Sequence, residues 1–164
     1  MITMRTSLII LLCSLLALSA CSSVSRLSPW SDLTKLDLTL EASSDLNPDL
    51  NQRPSPVVVQ LFELRHPSTF ANADFFSLYQ QPKQTLSLDL LGHEELEVRP
   101  GQELELKLTT HEDSRYLGVI VAYRDMTDAE WRAVVPLNQQ AQNQTTLNLD
   151  ANGIRQQDSQ RSRR

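Results

Sequence analysis

The sequence predicts an all-β fold: a two-sheet β-sandwich of about eight strands with one short inserted helix. Three observations carry this expectation. Within residues 33–152, apolar residues recur at every second position in short stretches, the period of a strand with one buried face. Turn residues separate these stretches, as in Arg99-Pro100-Gly101-Gln102, where Pro presets a negative φ and Gly accepts a positive one. The strand–helix–strand spacing that a parallel sheet needs does not recur.

The elements follow in order. Leu36, Leu38 and Leu40 alternate with Lys35, Asp37, Thr39 and Glu41. Residues 57–64 (VVVQLFEL) form a β-branched-rich run that suits burial on both faces. Residues 70–79 break the pattern and read as a helix, with Ser68 or Thr69 as its cap and Asp74 near its positive end. Phe70, Phe75, Phe76, Leu78 and Tyr79 then form an apolar surface that packs on the sandwich. Alternation resumes at Leu86, Leu88 and Leu90, at Leu96 and Val98, and at Leu104, Leu106 and Leu108. Residues 116–123 form a second nearly continuous apolar run. Trp131, Ala133, Val135 and Leu137, and then Leu147 and Leu149, complete the set of eight.

The ends differ in kind. Arg5 is the one charge in residues 1–20, and the uncharged run from Ser7 to Ala20 is too short to span a bilayer as a helix, which takes about 20 residues. Residues 1–20 are therefore expected to be an export signal. The run closes on Leu18-Ser19-Ala20-Cys21, which resembles a bacterial lipobox. That resemblance implies a thioether-linked diacylglycerol on Cys21, and Ser22 beside it implies sorting to the outer membrane. Cys13, the other cysteine, leaves with the signal, so Cys21 has no disulfide partner. Residues 21–32 read as a Ser-rich lipidated tether, and residues 153–164 as a disordered basic tail.

Of the 15 basic and 20 acidic residues, one Arg lies in the signal, and four Arg and one Asp lie from residue 153 onward. The body thus holds 10 basic and 19 acidic residues, net −9. That balance argues against nucleic acid and an anionic membrane face as partners, and favours a basic protein surface.

The residue pattern points to no enzyme. His66, His93 and His111 lack metal-ligand spacing, no cysteine remains for soft metals, and there is no nucleophile elbow or Gly-rich phosphate loop. Glu94, Glu95 and Glu97 read as a solvated strand face. No cofactor or metal is expected. The feature that stands out is the connection of about fourteen residues between the first two strands, residues 43–56, rich in Asp and Asn and holding Pro48, Pro54 and Pro56. Sandwich connections usually take a few residues, and long stiffened loops tend to carry function.

A string of motifs now becomes informative. The lipobox is followed by Asn47-Pro48, Arg53-Pro54-Ser55-Pro56-Val57-Val58-Val59, Ala73-Asp74-Phe75-Phe76-Ser77-Leu78-Tyr79, Arg99-Pro100-Gly101, Tyr116-Leu117-Gly118-Val119, Ala122-Tyr123-Arg124-Asp125 and Trp131-Arg132. In order and spacing this resembles the TssJ lipoprotein family of bacterial type VI secretion systems over residues 10–150. The resemblance implies a transthyretin-like sandwich held at the outer membrane and facing the periplasm. It implies binding to the periplasmic domain of TssM, and through TssM an indirect link to TssL. It also implies that the long loop makes the contact, with Asp45, Asn47, Asp49, Asn51 and Arg53 as its polar contacts. The alternative is a periplasmic ligand-binding or carrier lipoprotein of the same fold, which an inward polar pocket would favour.

Overall fold

The structure, a computed structural model, describes residues 33–157. The expected export signal, Cys21, the tether and the tail from residue 158 lie outside the described residues. Eight strands form two four-stranded sheets. In chain order the elements are β1 (Lys35–Ala42), β2 (Val57–Leu64), α1 (Ser68–Asn72), α2 (Phe75–Gln80), α3 (Pro82–Leu86), a 3₁₀ turn (Ser87–Asp89), β3 (Leu90–Val98), β4 (Glu103–Thr109), β5 (Tyr116–Val121), β6 (Arg132–Pro136), β7 (Gln142–Asp150) and β8 (Gly153–Gln156). Sheet one has the order β4-β1-β7-β8 and sheet two the order β3-β2-β5-β6.

The alternation sets which residues meet between the sheets. Leu36, Leu38, Leu40, Leu147 and Leu149 from sheet one pack against Val57, Val59, Leu61, Leu117, Val119 and Val121 from sheet two. β2 and β5 are buried on both faces, as their unbroken apolar runs predict. Their second face meets the helices: Phe62, Leu64 and Ile120 pack with Phe70, Leu78 and Leu86 in a separate core. The Arg132 side chain on β6 fastens this layer. It donates to the Phe70 and Ala73 carbonyls, both at 2.9 Å, and lies 4.5 Å from the Trp131 ring centroid.

Three expectations need correction. The strand expected around Leu86, Leu88 and Leu90 is instead the end of α3 and a 3₁₀ turn, and β3 starts only at Leu90. Pro82 sits at the start of α3, where its missing N–H costs nothing, and Leu86 turns into the second core. The single helix over residues 70–79 is two helices. Asp74 caps the second by accepting from the Ser77 N–H at 3.0 Å, whereas Thr69 is no cap and donates instead to Asp89 at 3.1 Å. The chain from residue 153 does not leave the fold at once, because Gly153–Gln156 is β8 with Ile154 buried. One pairing, β1 with β7, is parallel; every other ladder is antiparallel.

The register places the connections. Glu41 pairs with Glu103, Ala42 with Leu149, Val57 with Val98 and Val59 with Val121. The loop 43–56, the turn 99–102, the connection 122–131 and the turn 151–152 therefore gather at one end of the sandwich. The chain enters at the other end, where Lys35 pairs with Thr109 and Gln142. Eight-residue strands separate the two ends by roughly 26 Å. One side is closed: Glu130 bridges to Gly153, and the Ile154 N–H donates to the Glu130 carbonyl at 2.7 Å. On the other side β3 and β4 are edge strands among the described residues, with Glu94, Glu95, Glu97, Glu103 and Glu105 exposed.

Gly118 on β5 makes the helix layer possible. A Cβ there would meet the Phe70 ring at 2.8 Å and Leu64 Cδ1 at 3.0 Å. Gly118→Ala is expected to cost about 1–3 kcal/mol of stability by overpacking, read as a lowered midpoint in thermal unfolding.

Candidate functional site

The loop 43–56 must carry the chain from β1 in one sheet to β2 in the other, and it does so as a built structure. Leu46 is fully buried and plugs the end of the inter-sheet core. Its carbonyl accepts the Ser55 N–H at 3.0 Å, closing the loop at its base. Asn47 follows with φ 47° and only 4 % exposure. Its Nδ2 donates to the Pro56 carbonyl at 2.9 Å, and its Oδ1 accepts the Arg124 N–H at 2.8 Å. One amide thus joins both arms of the loop to the connection after β5.

Asp49 organises the tip. Its Oδ1 accepts the Asn51 and Arg53 N–H groups at 2.8 and 2.9 Å, and its Oδ2 accepts Arg53 Nε at 3.0 Å. The Asp49 carbonyl also accepts the Gln52 N–H at 2.8 Å, with Gln52 at φ 62°. The Arg53 N–H, together with Asn51 N–H and the Arg53 guanidinium, holds the Asp49 carboxyl below its ordinary range. The tip therefore stays ionised and closed through the neutral range.

The five polar residues predicted as contacts separate into two groups. Asp45, Asn51 and Arg53 are exposed, and Asp45 accepts from the Ser43 hydroxyl. Asn47 is interior, and Asp49 is half-buried with its oxygens engaged within the loop. The sequence reading passed over Leu50, which is fully exposed at the tip, and Tyr123 and Arg124, which come from the neighbouring connection. No sequence signal separates Leu50 from Leu46, since each stands alone amid Asp, Asn and Pro, yet Leu46 is buried and Leu50 is not. Together these segments line a groove of ≈ 660 Å³ formed by residues 47–52, Tyr123, Arg124, Asp125 and Ala151.

Because the Asp49 carboxyl lies below its unfolded value, its bracing is present above the ordinary carboxylate range and is lost as pH falls through the depressed value. Asp49→Asn is expected to loosen the tip at neutral pH as acid does in the wild type. Hydrogen exchange is expected to show faster amides at Asn51 and Arg53 and an unchanged amide at Val59.

This geometry has known counterparts. A family described as type VI secretion lipoprotein, VasD, EvfM, TssJ matches residues 34–152. No curated protein matches the sequence. Among solved structures, the T6SS lipoprotein TssJ1 from Pseudomonas aeruginosa is 33 % identical, with a TM-score of 0.74 over 76 % of this chain and 95 % of that one. Serratia marcescens Lip, a membrane bound component of the Type VI Secretion System, is 25 % identical, with a TM-score of 0.72 over 76 % and 98 %. A chain from a structure titled Type VI membrane complex shares the fold at 19 % identity, with a TM-score of 0.68 over 77 % and 99 %. The family match spans β1 to β7, braced loop included, and on that ground the chain belongs to the TssJ family of type VI secretion lipoproteins.

Proposed function

We propose that this lipoprotein is held at the outer membrane by acyl groups on Cys21 and uses the loop end of its sandwich to bind the periplasmic domain of TssM. In this way it anchors the secretion membrane complex, with TssL engaged indirectly through TssM. The observation that carries this reading is the polarity of the domain. The described chain begins at Leu33, at the end of the sandwich opposite the loop 43–56. An anchor upstream of Leu33 and a contact surface at the loop then act on opposite ends of a rigid body. Load passes along the strands and does not peel them apart. Each acyl methylene in the bilayer adds about 0.8 kcal/mol, so two or three chains resist extraction.

The loop suits this task because it is ordered in advance. Asn47 and Asp49 fix its course, so docking orders little further backbone. Asp45, Leu50, Asn51 and Arg53 are left facing outward as the contact set. The carrier alternative finds little support, since the space between the sheets is filled by leucine and valine side chains.

Cys21→Ser is expected to abolish palmitate labelling and to move the protein from the outer-membrane fraction to the periplasm; retention in the membrane would refute the anchor. The binding test must spare Leu46 and Asn47, which hold the fold. Leu50→Glu combined with Asn51→Ala is expected to weaken binding to the TssM periplasmic domain at least about tenfold with an unchanged thermal midpoint. Wild-type affinity in that variant would overturn the loop assignment.

A further inference from the structure

β1 starts from, and β8 heads toward, the same end of the sandwich. Lys35 pairs there with Thr109 and Gln142. β8 runs antiparallel to β7, with Gln156 opposite Leu147, and the Gln157 N–H donates to the Thr146 carbonyl at 2.9 Å. Thr146 is four residues, roughly 13 Å, from Gln142 at that end. Arg161, Arg163 and Arg164 follow Gln157 by four, six and seven residues. An extended chain covers at most about 3.6 Å per residue, so all three guanidinium groups come within reach of this end.

The same end holds two of the four exposed large apolar side chains among the described residues, Leu33 at 40 % and Leu88 at 82 %. Arg65 places Leu88 there, donating to the Leu88 carbonyl at 3.4 Å and to Asp113 at 2.9 Å. Thr34 places Leu33, its carbonyl accepting the Thr110 N–H at 3.1 Å. The body as a whole is acidic, but this end is balanced. Lys35, Arg65 and Arg115 stand beside Asp89, Glu112 and Asp113, and the Glu63 carboxylate is taken up by the His111 N–H and the Ser114 hydroxyl.

We infer that this end is a seat on an anionic phospholipid surface, where the arginines at 161, 163 and 164 meet headgroup phosphates and Leu88 and Leu33 enter the interface. This rests on the reading of Cys21 as the acyl anchor and adds a second contact to it. The anchor makes so small a contact sufficient. Eleven residues separate Cys21 from Leu33, and a flexible linker of that length spans about 18 Å. The surface is then always near, and contact costs no further loss of translation. Each arginine close to an anionic surface favours contact about fivefold, with Asp158 offsetting one of the three. Seated in this way, the domain points the loop 43–56 away from the bilayer.

The test uses the acylated full chain in phosphatidylcholine vesicles with and without about 30 mol % phosphatidylglycerol. A polarity-sensitive fluorophore is attached at His66→Cys, an exposed position beside Arg65, or at Asn51→Cys on the loop tip. With phosphatidylglycerol present, emission at position 66 is expected to rise at least about twofold and emission at position 51 to stay constant. Replacing Arg161, Arg163 and Arg164 together by Ser is expected to remove the rise, as is about 0.5 M salt. Equal emission at position 66 in both vesicles, on protein that pellets with them, overturns this inference and leaves the anchor standing. A rise that survives the triple arginine substitution, or one that position 51 shares, also overturns it. A chain left in the supernatant of both vesicles overturns the anchor reading and this inference together.

Discussion

Everything in this domain depends on one constraint: β2 and β5 are apolar on both faces. A sheet built on them cannot be left half in water, as the outer face of sheet one is. It needs a leucine-rich sheet on one side and a second cover on the other. The segment between β2 and β3 provides that cover with three short helices, none long enough to be stable alone. Packing of Phe70, Leu78 and Leu86 on Phe62, Leu64 and Ile120 stabilises them, and Gly118 leaves the room for the Phe70 ring. Arg132, whose charge burial makes costlier, is held by two carbonyls and a ring face at the helix ends.

The sandwich was legible because alternation over six or more residues has one physical reading. Shorter stretches were not decisive: Leu96 with Val98 and Leu147 with Leu149 lie in strands, whereas Leu86 and Leu88 do not. Leu86, Leu88 and Leu90 alternate over five residues, a span that also fits a turn of helix, and the Pro at position 82 decides the case. β8 escaped because its four residues are flanked by polar chain and only Gly153 and Ile154 face inward. The parallel pairing of β1 and β7 joins residues more than a hundred positions apart, which no local pattern encodes.

The loop was legible as a place and not as a mechanism. Its length and its Asp, Asn and Pro content mark it as special. The role of Asn47 is set by the Arg124 amide, 77 positions away, and therefore emerges only in three dimensions. Residues of one type and one loop thus divide into braces and outward groups. Asn47 and Asp49 shape the surface that Asp45, Asn51 and Arg53 present. Tyr123 reads in sequence as the end of an apolar strand, and in space it closes the inter-sheet core and lines the groove.

The asymmetry of the two sides bears on crowding. The side with β6 and β8 is sealed by the Glu130–Gly153 bridge, while β3 and β4 are, among the described residues, the outer strands of their sheets. Such edges are templates for strand addition, and chains confined to a surface meet far more often than chains in solution. The glutamates at 94, 95, 97, 103 and 105 line both edges. A second copy offering the same edge meets its own charge, so neighbours stay discrete and do not zip into continuous sheet. The fold can thus be concentrated without polymerising, and its acidic edges protect the shape of each copy.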